Sequence, residues 1–295
     1  MKRRRFLAIT AAIGALAATP ARAFRLDPVE WRGTALGAAA SLTLHHEDRA
    51  EAERLLAASL AELERLERIF SLYREDSTLT FLNRTGRLGQ PPGELLALLS
   101  EVNHLWHVSE GIFDPTVQPL WDAYARFFAT PAASPPLPDL LPLVGWEKVA
   151  ISEDAIWFRQ PGMAVTLNGI AQGYITDRIA DLLRTHGMRH VLVNLGEIRA
   201  LGPRGDGLPW TAMLNGNVHE LQDGALAVSS ADATRFSATC HHLFDPRTGR
   251  SATNTIPVAV TAPTATIADG LSTACAIAFS RKEDIAARAG GRLLV

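Results

Sequence analysis

An α+β fold, in which layered mixed or antiparallel sheets pack against helices, is predicted by three observations. Amphipathic helical stretches fill much of the first half of the chain, short β-like runs follow in the second half, and further helices interrupt these runs. The chain has 295 residues, 47% of them hydrophobic, which is enough to bury a substantial core as one large domain or two closely packed subdomains.

The first 23 residues have the pattern of an export signal. Arginines at positions 3 to 5 precede an apolar run from Phe6 to Ala18, and Ala21-Arg22-Ala23 suits a cleavage site. The run is shorter than the roughly 20 residues that span a bilayer. An arginine pair followed by Phe-Leu is typical of a twin-arginine signal, and an ordinary secretory signal is the alternative. We therefore expect a periplasmic protein, soluble after cleavage, whose mature domain covers residues 24–295.

The charge balance and the two cysteines exclude some functions. A formal net charge of −2 and a pI near 6.5 leave no basic excess for a nucleic-acid backbone, so we expect no nucleic-acid partner. Cys240 and Cys275 have no metal-ligand spacing. They are expected to be small buried hydrophobes, although an oxidising periplasm would permit a bridge between them.

The predicted helices and strands follow from periodicity. Apolar residues at helical spacing predict helices from Glu47 to Phe70 and from about Gly93 to Ser109, and five prolines make residues 131–142 a loop. Later helices are predicted at about Ile170 to His186 and Ile267 to Phe279, with a shorter one after Arg281. The predicted strands are Lys148 to Ile151, Ala155 to Phe158, Met163 to Leu167, Val191 to Asn194, Trp210 to Leu214, Ala225 to Ser229 and Pro257 to Thr261.

Two segments carry residue types suited to binding a cation or an anion. Asp269 and Thr273, four positions apart in IADGLSTA, would share one helix face and offer hard oxygens that suit Mg²⁺. Taken alone, such an acid is more often only a favourable charge in a first helical turn. Gly169 and Gly173 in LNGIAQGYITDR would allow close backbone approach to an anionic ligand at a helix N-terminus, with a tight strand-to-helix turn as the alternative.

A third segment offers a candidate base. His242 lies in HHLFDPRTGR, just before a turn predicted by Asp245-Pro246 and Thr248-Gly249. Histidine titrates near neutral pH, so one held there is able to take a proton from an attacking hydroxyl. A solvent-exposed strand histidine is the plainer interpretation of either His241 or His242 alone. Likewise, GIFDPTVQPLW at residues 111–121 alone indicates only a turn after a helix.

Together and in this order, the segments resemble the FAD:protein FMN transferase family, the ApbE-like flavin transferases, along almost the whole mature chain. RGTALG at 32–37 resembles the family's MGT motif, FSLYREDSTLTFLN at 70–83 its Phe-Ser segment closed by Asn, and GIFDPTVQPLW its GxFDPTVxPL. NGIAQGYITDR, HLFDPRTG and IADGLSTA are similar to GIAKGYAVDR, HILDPRTG and aDALSTA, and NLGEIRALG looks like the family's Gly-rich strand end.

The resemblance implies a function and a site. It implies FAD in a cleft between two closely packed subdomains, Mg²⁺ bound by Asp269, Thr273 and the carbonyl of Gly169, and His242 as the general base. The base would act on a Thr or Ser hydroxyl of an acceptor, an exported or membrane-bound electron-transfer flavoprotein, which takes FMN from FAD and releases AMP. The residues implied to contact FAD are Arg32, Tyr73, Ile112, Phe113, Asp114, Thr166, Gln172 and Leu243.

The chain departs from the family pattern at Arg32 for Met, Thr166 for Asp, Asn168 for Gly and Gln172 for Lys. Loss of the acid at 166 together with the lysine at 172 is compatible with a neutral replacement of a charged pair. Two other functions stay open: a Mg²⁺-dependent FAD pyrophosphatase, which uses water as the acceptor and gives FMN and AMP, and a noncatalytic periplasmic flavin-binding assembly protein.

Overall fold

The computed structural model describes residues 26–129, 137–214 and 216–294, and the predicted export signal at 1–23 lies outside these ranges. Helices and antiparallel sheets alternate along the described chain, so the predicted α+β fold is confirmed. None of the described helices combines the length and the apolar character needed to cross a membrane.

The elements follow one another in this order. The first part of the chain contains β1 (Pro28–Ala35), β2 (Ala38–His45), α1 (Arg49–Phe70), α2 (Thr78–Thr85), β3 (Arg87–Gly89), α3 (Gly93–Val108) and α4 (Gln118–Ala129). The middle part contains α5 (Leu137–Leu140), β4 (Val149–Ile151), β5 (Ala155–Phe158), α6 (Ala171–Thr185), β6 (His190–Asn194), β7 (Ile198–Leu201), β8 (Trp210–Leu214), β9 (Asn217–Leu221) and β10 (Gly224–Ser229). The last part contains β11 (Phe244–Asp245), β12 (Arg250–Ser251), β13 (Val258–Ala262), α7 (Ala265–Ile277), α8 (Lys282–Arg288) and β14 (Arg292–Leu294).

An antiparallel sheet with the strand order β1-β2-β6-β7-β10-β13-β14 forms the centre of the fold. Its first hairpin turns at Leu36 and Gly37, whose φ values of 47° and 80° suit a tight two-residue connection. The backbone N–H of Leu36 donates to Oε1 of Glu67 over 2.6 Å, which ties this turn to α1. Smaller sheets join β3-β5-β4, β8-β9 and β11-β12.

The central sheet lies between two layers. On one face, α1, α6 and α7 cover it and α3 packs against α7. Together they enclose the large apolar core, to which β2 contributes the fully buried Leu42 and Leu44. On the other face, the β8-β9 hairpin packs Trp210, Ala212 and Leu221 against strands of the central sheet. Alternation of side chains along each strand makes both contacts possible, because successive residues point to opposite faces.

Two predicted features are wrong, whereas the other predicted helices and strands begin and end within two residues of their expected bounds. Residues Met163 to Leu167 form no strand, because the side chain of Asn83 bonds both the N–H and the C=O of Val165, each over 2.8 Å. In the proline-rich segment, residues 137–143 form α5 and a 3-10 turn instead of a loop, since proline suits the first positions of a helical turn. Residues 130–136 lie outside the described ranges.

Candidate functional site

A cavity of about 1640 Å³ opens between the β1-β2-β6 end of the sheet and the segments around α6 and α7. It brings together most of the residues singled out in the sequence, although they are spread over more than 240 positions. The predicted residues that line it are Arg32, Phe113, Asp114, Thr166, Gly169, Gln172, His242, Leu243, Asp269 and Thr273. Tyr73 and Ile112 are not among its lining residues.

Helix α7 presents Asp269 and Thr273 to the cavity, one turn apart as the spacing predicts. The start of this helix is fixed from α6, because the carboxylate of Asp177 accepts hydrogen bonds from the backbone N–H groups of Ala265 (2.9 Å) and Thr266 (2.8 Å). The Thr266 hydroxyl donates to the same carboxylate over 2.6 Å. Helix packing therefore sets the position of the candidate metal ligands.

Gly169 lies directly against Thr273. A Cβ added at Gly169 would stand 2.9 Å from Oγ1 of Thr273, so glycine is the residue that lets this hydroxyl approach the backbone. Oγ1 of Thr273 also lies 3.1 Å from Oγ of Ser229. A carboxylate, a hydroxyl and a nearby backbone segment are oxygen donors of the kind that Mg²⁺ prefers. The set fits a hard divalent cation, although no three His, Cys, Asp or Glu side chains of the described ranges converge as a metal cluster.

Asp269 is a buried acid, with 3% of its surface exposed. Its Oδ2 accepts a hydrogen bond from the backbone N–H of Gly173 over 3.0 Å. Burial raises the pKa of Asp269 to about 7; the Gly173 amide opposes this shift and the negative charge of Asp177 adds to it. A cation bound beside this carboxylate would stabilise its charged form.

The expectation that Gly173 lets a ligand approach the backbone is wrong. Gly173 lies inside α6, and a Cβ there would stand 2.2 Å from the carbonyl oxygen of Ala265 and 2.8 Å from Cβ of Asp269. The missing side chain therefore serves helix packing, because it lets α6 approach the start of α7 closely.

The β11-β12 hairpin holds His242 at the cavity wall. The predicted turn is present, since the backbone N–H groups of Thr248 (3.2 Å) and Gly249 (2.9 Å) donate to the carbonyl of Asp245. The backbone N–H and Nδ1 of His242 both lie within hydrogen-bond distance of the Thr234 carbonyl oxygen, at 3.1 Å and 3.2 Å. A carbonyl only accepts, so Nδ1 carries the proton and Nε2 is the nitrogen able to take up another.

The neighbouring His241 has a different environment. Only 1% of its surface is exposed; Nε2 donates to the carbonyl of Ala252 over 2.8 Å, and Nδ1 accepts from the N–H of Leu243 over 3.3 Å. Burial lowers the pKa of His241, which keeps the ring neutral. Both of its nitrogens hold backbone in place, so His241 is structural and His242 faces the cavity.

Phe113 and Asp114 form another part of the cavity wall. The N–H of Phe113 donates to Oγ of Ser109 over 2.9 Å, while Asp114 accepts from the N–H groups of Thr116 (2.8 Å) and Trp146 (2.9 Å). Burial raises the pKa of Asp114, and these hydrogen bonds oppose that shift. The wall is consequently rigid, because side chains satisfy the backbone donors of the turn.

The remaining predicted contacts lie nearer the rim or in the core. The guanidinium of Arg32 is exposed, 3.7 Å from Oε2 of Glu30. Tyr73 is half-exposed, and its hydroxyl accepts a hydrogen bond from Nδ2 of the cavity-lining Asn168 over 3.2 Å. Ile112 is buried in the large apolar core, one residue before the cavity wall.

Gln172 and Thr166 occupy the positions where the sequence departs from the family pattern. Nε2 of Gln172 donates to the carbonyl of Leu195 over 3.2 Å and lies against Gly196, where an added Cβ would stand 2.7 Å away. The Thr166 N–H donates to the carbonyl of Pro115 over 2.8 Å. Both side chains face the cavity without carrying a charge.

Sequence reasoning assigned no role to Glu197, Ser229 or Ser230, which also line the cavity. The signal at Glu197 was present in NLGEIRALG, where an acid stands between apolar residues at the end of a buried strand. Glutamate is rarely buried unless it is paired, so an acid in such a segment indicates a site.

The structure thus defines an α+β protein with a large cavity, lined by an acid, a hydroxyl and a histidine, as its candidate ligand-binding site. The model of the ApbE family matches residues 36–291, and the chain belongs to that family.

Named relatives and solved structures agree with this membership. The chain is 30% identical over 261 residues to FAD:protein FMN transferase of Treponema pallidum, covering 77% of this chain and 72% of the relative. It is 29% identical over 241 residues to FAD:protein FMN transferase of Vibrio cholerae, covering 72% and 69%. A mutant of flavin transferase ApbE from Vibrio cholerae has a similar structure, with a TM-score of 0.79 and 26% identity over 91% of this chain and 93% of that one. The apo flavinyl transferase ApbE of Pseudomonas stutzeri superposes with a TM-score of 0.76 at 25% identity, covering 90% of each chain.

Proposed function

We propose that this protein transfers FMN from FAD to a Thr or Ser hydroxyl of an acceptor flavoprotein, with Mg²⁺ as cofactor and AMP as the second product. The observation that carries the proposal is one cavity lined both by His242 and by the oxygen donors Asp269 and Thr273. A base and a cation site on the same cavity are what phosphoryl-type transfer from a pyrophosphate requires. The names of the relatives at 29% and 30% identity support the same reaction.

The residues that would hold Mg²⁺ are Asp269, Thr273 and the backbone carbonyl of Gly169. Gly169 supports this assignment because any side chain there would meet Oγ1 of Thr273 at 2.9 Å. The buried carboxylate of Asp269 supports it as well, since its charge has one backbone amide and no lysine or arginine bonded to it in the described chain. When bound, the ion would neutralise charge on the pyrophosphate of FAD.

His242 would take the proton of the acceptor hydroxyl. The hydroxyl oxygen forms a bond to the FMN-side phosphorus, the bond from that phosphorus to the bridging oxygen breaks, and the oxygen leaves with AMP. The proton of the hydroxyl passes to Nε2 of His242, because Nδ1 already donates to the Thr234 carbonyl. That hydrogen bond also fixes the ring plane, so the imidazole is oriented before the acceptor arrives.

The cavity walls would orient FAD. Phe113 and Leu243 are buried apolar side chains on the wall and suit the flat flavin ring, while Asp114 accepts hydrogen bonds that keep the Phe113 segment in place. Arg32 adds an exposed cation at the rim. Gln172 contributes a neutral amide where the family pattern has lysine. The bound Mg²⁺ would therefore neutralise most of the negative charge of the FAD phosphates.

The acceptor and the compartment belong to the same proposal. We infer an exported or membrane-bound electron-transfer flavoprotein as the acceptor and a periplasmic location reached through the twin-arginine pattern at residues 3–7. Cell fractionation of the full-length protein tests the location. Replacing Arg3, Arg4 and Arg5 by lysine should retain the protein in the cytoplasm if the twin-arginine route is used, whereas continued export would favour the ordinary secretory route.

Intact-mass analysis tests the reaction. An exported flavoprotein domain is incubated with the mature enzyme, FAD and Mg²⁺, and a mass gain equal to an FMN phosphoester is expected. The gain should disappear with His242→Ala and with Asp269→Ala, and should persist with His104→Ala, which removes an exposed histidine of α3 that does not line the cavity. FMN and AMP without a modified acceptor would instead establish a pyrophosphatase, and bound but unchanged FAD a binding protein.

A further inference from the structure

Glu197 is the feature of the cavity that the proposed function leaves unused. It follows β6 and precedes β7, and the N–H of Leu195 donates to its backbone carbonyl over 3.1 Å, which closes the turn between the strands. The residue lines the cavity although only 7% of its surface is exposed. A carboxylate that is buried beside a cavity needs a partner.

The described chain supplies that partner only in part. The carboxylate accepts a hydrogen bond from the backbone amide of Val228, but Oε2 is buried and has no hydrogen-bond partner among the described residues. Burial raises the pKa of Glu197 well above its ordinary range, and the negative charge of Asp269 adds to the shift. The carboxyl groups of Glu197 and Asp269 therefore interact electrostatically, and both residues line the same cavity.

No lysine or arginine of the described chain forms an ion pair with either Glu197 or Asp269. The side chain next to the turn is Gln172, which is neutral and donates its amide to the Leu195 carbonyl. Two buried carboxylates without a protein cation are costly, whereas a bound cation would compensate both. Ser229 follows the amide donor Val228 and lies 3.1 Å from the Thr273 hydroxyl, so the surroundings of Glu197 and the cation ligands are continuous.

We propose that Glu197 is an additional protein ligand of the divalent cation, its free oxygen acting together with Asp269 and Thr273. This inference rests on the proposed function, because it concerns the same cation site. The family pattern has a lysine at position 172, and this chain has the neutral Gln172. A bound ion would therefore supply the positive charge that compensates the two acids. The cation becomes a requirement for a well-formed cavity as well as for transfer.

The test is ion uptake by the mature protein, measured by the electron paramagnetic resonance signal of free Mn²⁺, with and without FAD. Glu197→Gln keeps the shape of the side chain and should weaken Mn²⁺ binding by about tenfold or more, a loss of the size seen when metal-site residues are changed. Asp269→Asn should weaken it as well. Glu30→Gln removes an exposed acid from the wall of the same cavity and should leave the affinity unchanged.

Gln172→Lys provides a second, independent arm that does not remove Glu197. A lysine at this position would lie beside the Glu197 turn and pair with its carboxylate, so Mn²⁺ affinity should fall about tenfold. Combined with Glu197→Gln, the same substitution should cause little further loss, because the group it pairs with is gone. Thermal unfolding without metal should show Glu197→Gln to be at least as stable as the wild type, which separates ligand loss from misfolding.

Each other outcome decides against the inference. Unchanged Mn²⁺ affinity in Glu197→Gln, with a loss in Asp269→Asn, would overturn the role of Glu197 and leave the proposed function standing. If Glu30→Gln lowers Mn²⁺ affinity as much as Glu197→Gln does, the loss reflects the removal of any nearby negative charge and Glu197 is not a ligand. If the wild type takes up no ion with or without FAD, the cation site and its additional ligand both fail.

Discussion

The backbone N–H of Gly173 donates to Oδ2 of Asp269 over 3.0 Å and so joins α6 to α7 at the cavity. The contact exists because residue 173 has no side chain, since a Cβ would stand 2.2 Å from the carbonyl oxygen of Ala265. A candidate metal ligand on one helix is thus positioned by the backbone of another. The geometry of the site depends on how closely two buried helices pack.

Gly173→Ala should therefore damage both the fold and the site. The methyl group would force α6 and α7 apart, at a cost of about 1–3 kcal/mol in the free energy of unfolding. Transfer activity should fall further than the unfolded fraction explains, because Asp269 moves with α7. Gly93→Ala is the matched control: Gly93 begins α3, and no atom lies within 4 Å of the added methyl. Equal free energies of unfolding for the two variants, measured by denaturant titration, would contradict the role given to Gly173.

Much of this fold could be predicted because apolar periodicity is local. The predicted helices at α1, α3, α6 and α7 appear with small shifts at their ends. The failed strand at Met163 to Leu167 has the right composition, but its backbone groups bond to the side chain of Asn83, more than 80 positions earlier. No local pattern reports a partner at that distance along the chain.

Asp177 should matter as a positioning residue for α7. Its carboxylate accepts from Ala265 N–H, Thr266 N–H and the Thr266 hydroxyl, so Asp177→Ala leaves two backbone N–H groups of the first helical turn without their acceptor. We expect a loss of about 1–2 kcal/mol in unfolding free energy, as for other lost helix caps, and a higher Mg²⁺ concentration for half-maximal activity.

Asp181→Ala is the control for this change, one turn further along α6. Asp181 pairs with Arg184 at the surface, over 2.8 Å, and such exposed pairs contribute about 0–1 kcal/mol. The unfolding free energy of the Asp181→Ala variant and the Mg²⁺ concentration that it requires should stay close to those of the wild type. If Asp177→Ala behaves in the same way, α7 is held by its apolar packing alone.

His241 should give the protein a pH-dependent stability. Burial lowers its pKa in the folded state below the ordinary value of 6.5, so as the pH falls through 6.5 the unfolded chain binds a proton that the folded protein does not. The contribution of a neutral, fully bonded ring is thus present above pH 6.5 and is lost as the pH falls below it.

His241→Leu tests this pH dependence. Near pH 8 it should cost about 1–3 kcal/mol, because the Ala252 carbonyl and the Leu243 N–H lose their partner. The difference in unfolding free energy between the variant and the wild type should shrink toward about pH 5.5. Denaturant titrations at several pH values measure it, and a difference that is constant or grows in acid would show that His241 does not titrate as its burial requires.

The candidate site could be predicted from the sequence only where residue types signal chemistry. Asp269, Thr273 and His242 are such residues, and the structure places all three on one cavity. Glu197 is visible as an acid in an apolar segment, but its missing partner is apparent only when the neighbouring atoms are known. The same holds for His241 and His242, which are adjacent in sequence and differ only in what surrounds them.

The two cysteines should differ in reactivity toward a thiol reagent in the native protein. Both are free thiols; Cys275 is fully buried and its Sγ donates to the Lys282 carbonyl over 3.3 Å, whereas Cys240 is half-buried in the segment before His241. Burial raises the pKa of Cys275 to about 12, so near pH 8 only about one thiol in ten thousand would be ionised. Native protein should thus gain one iodoacetamide adduct, at Cys240, and denatured protein two. Cys240→Ser should gain none while folded, and rapid labelling of Cys275 in that variant would mean that the core around α7 opens far more often than its packing indicates.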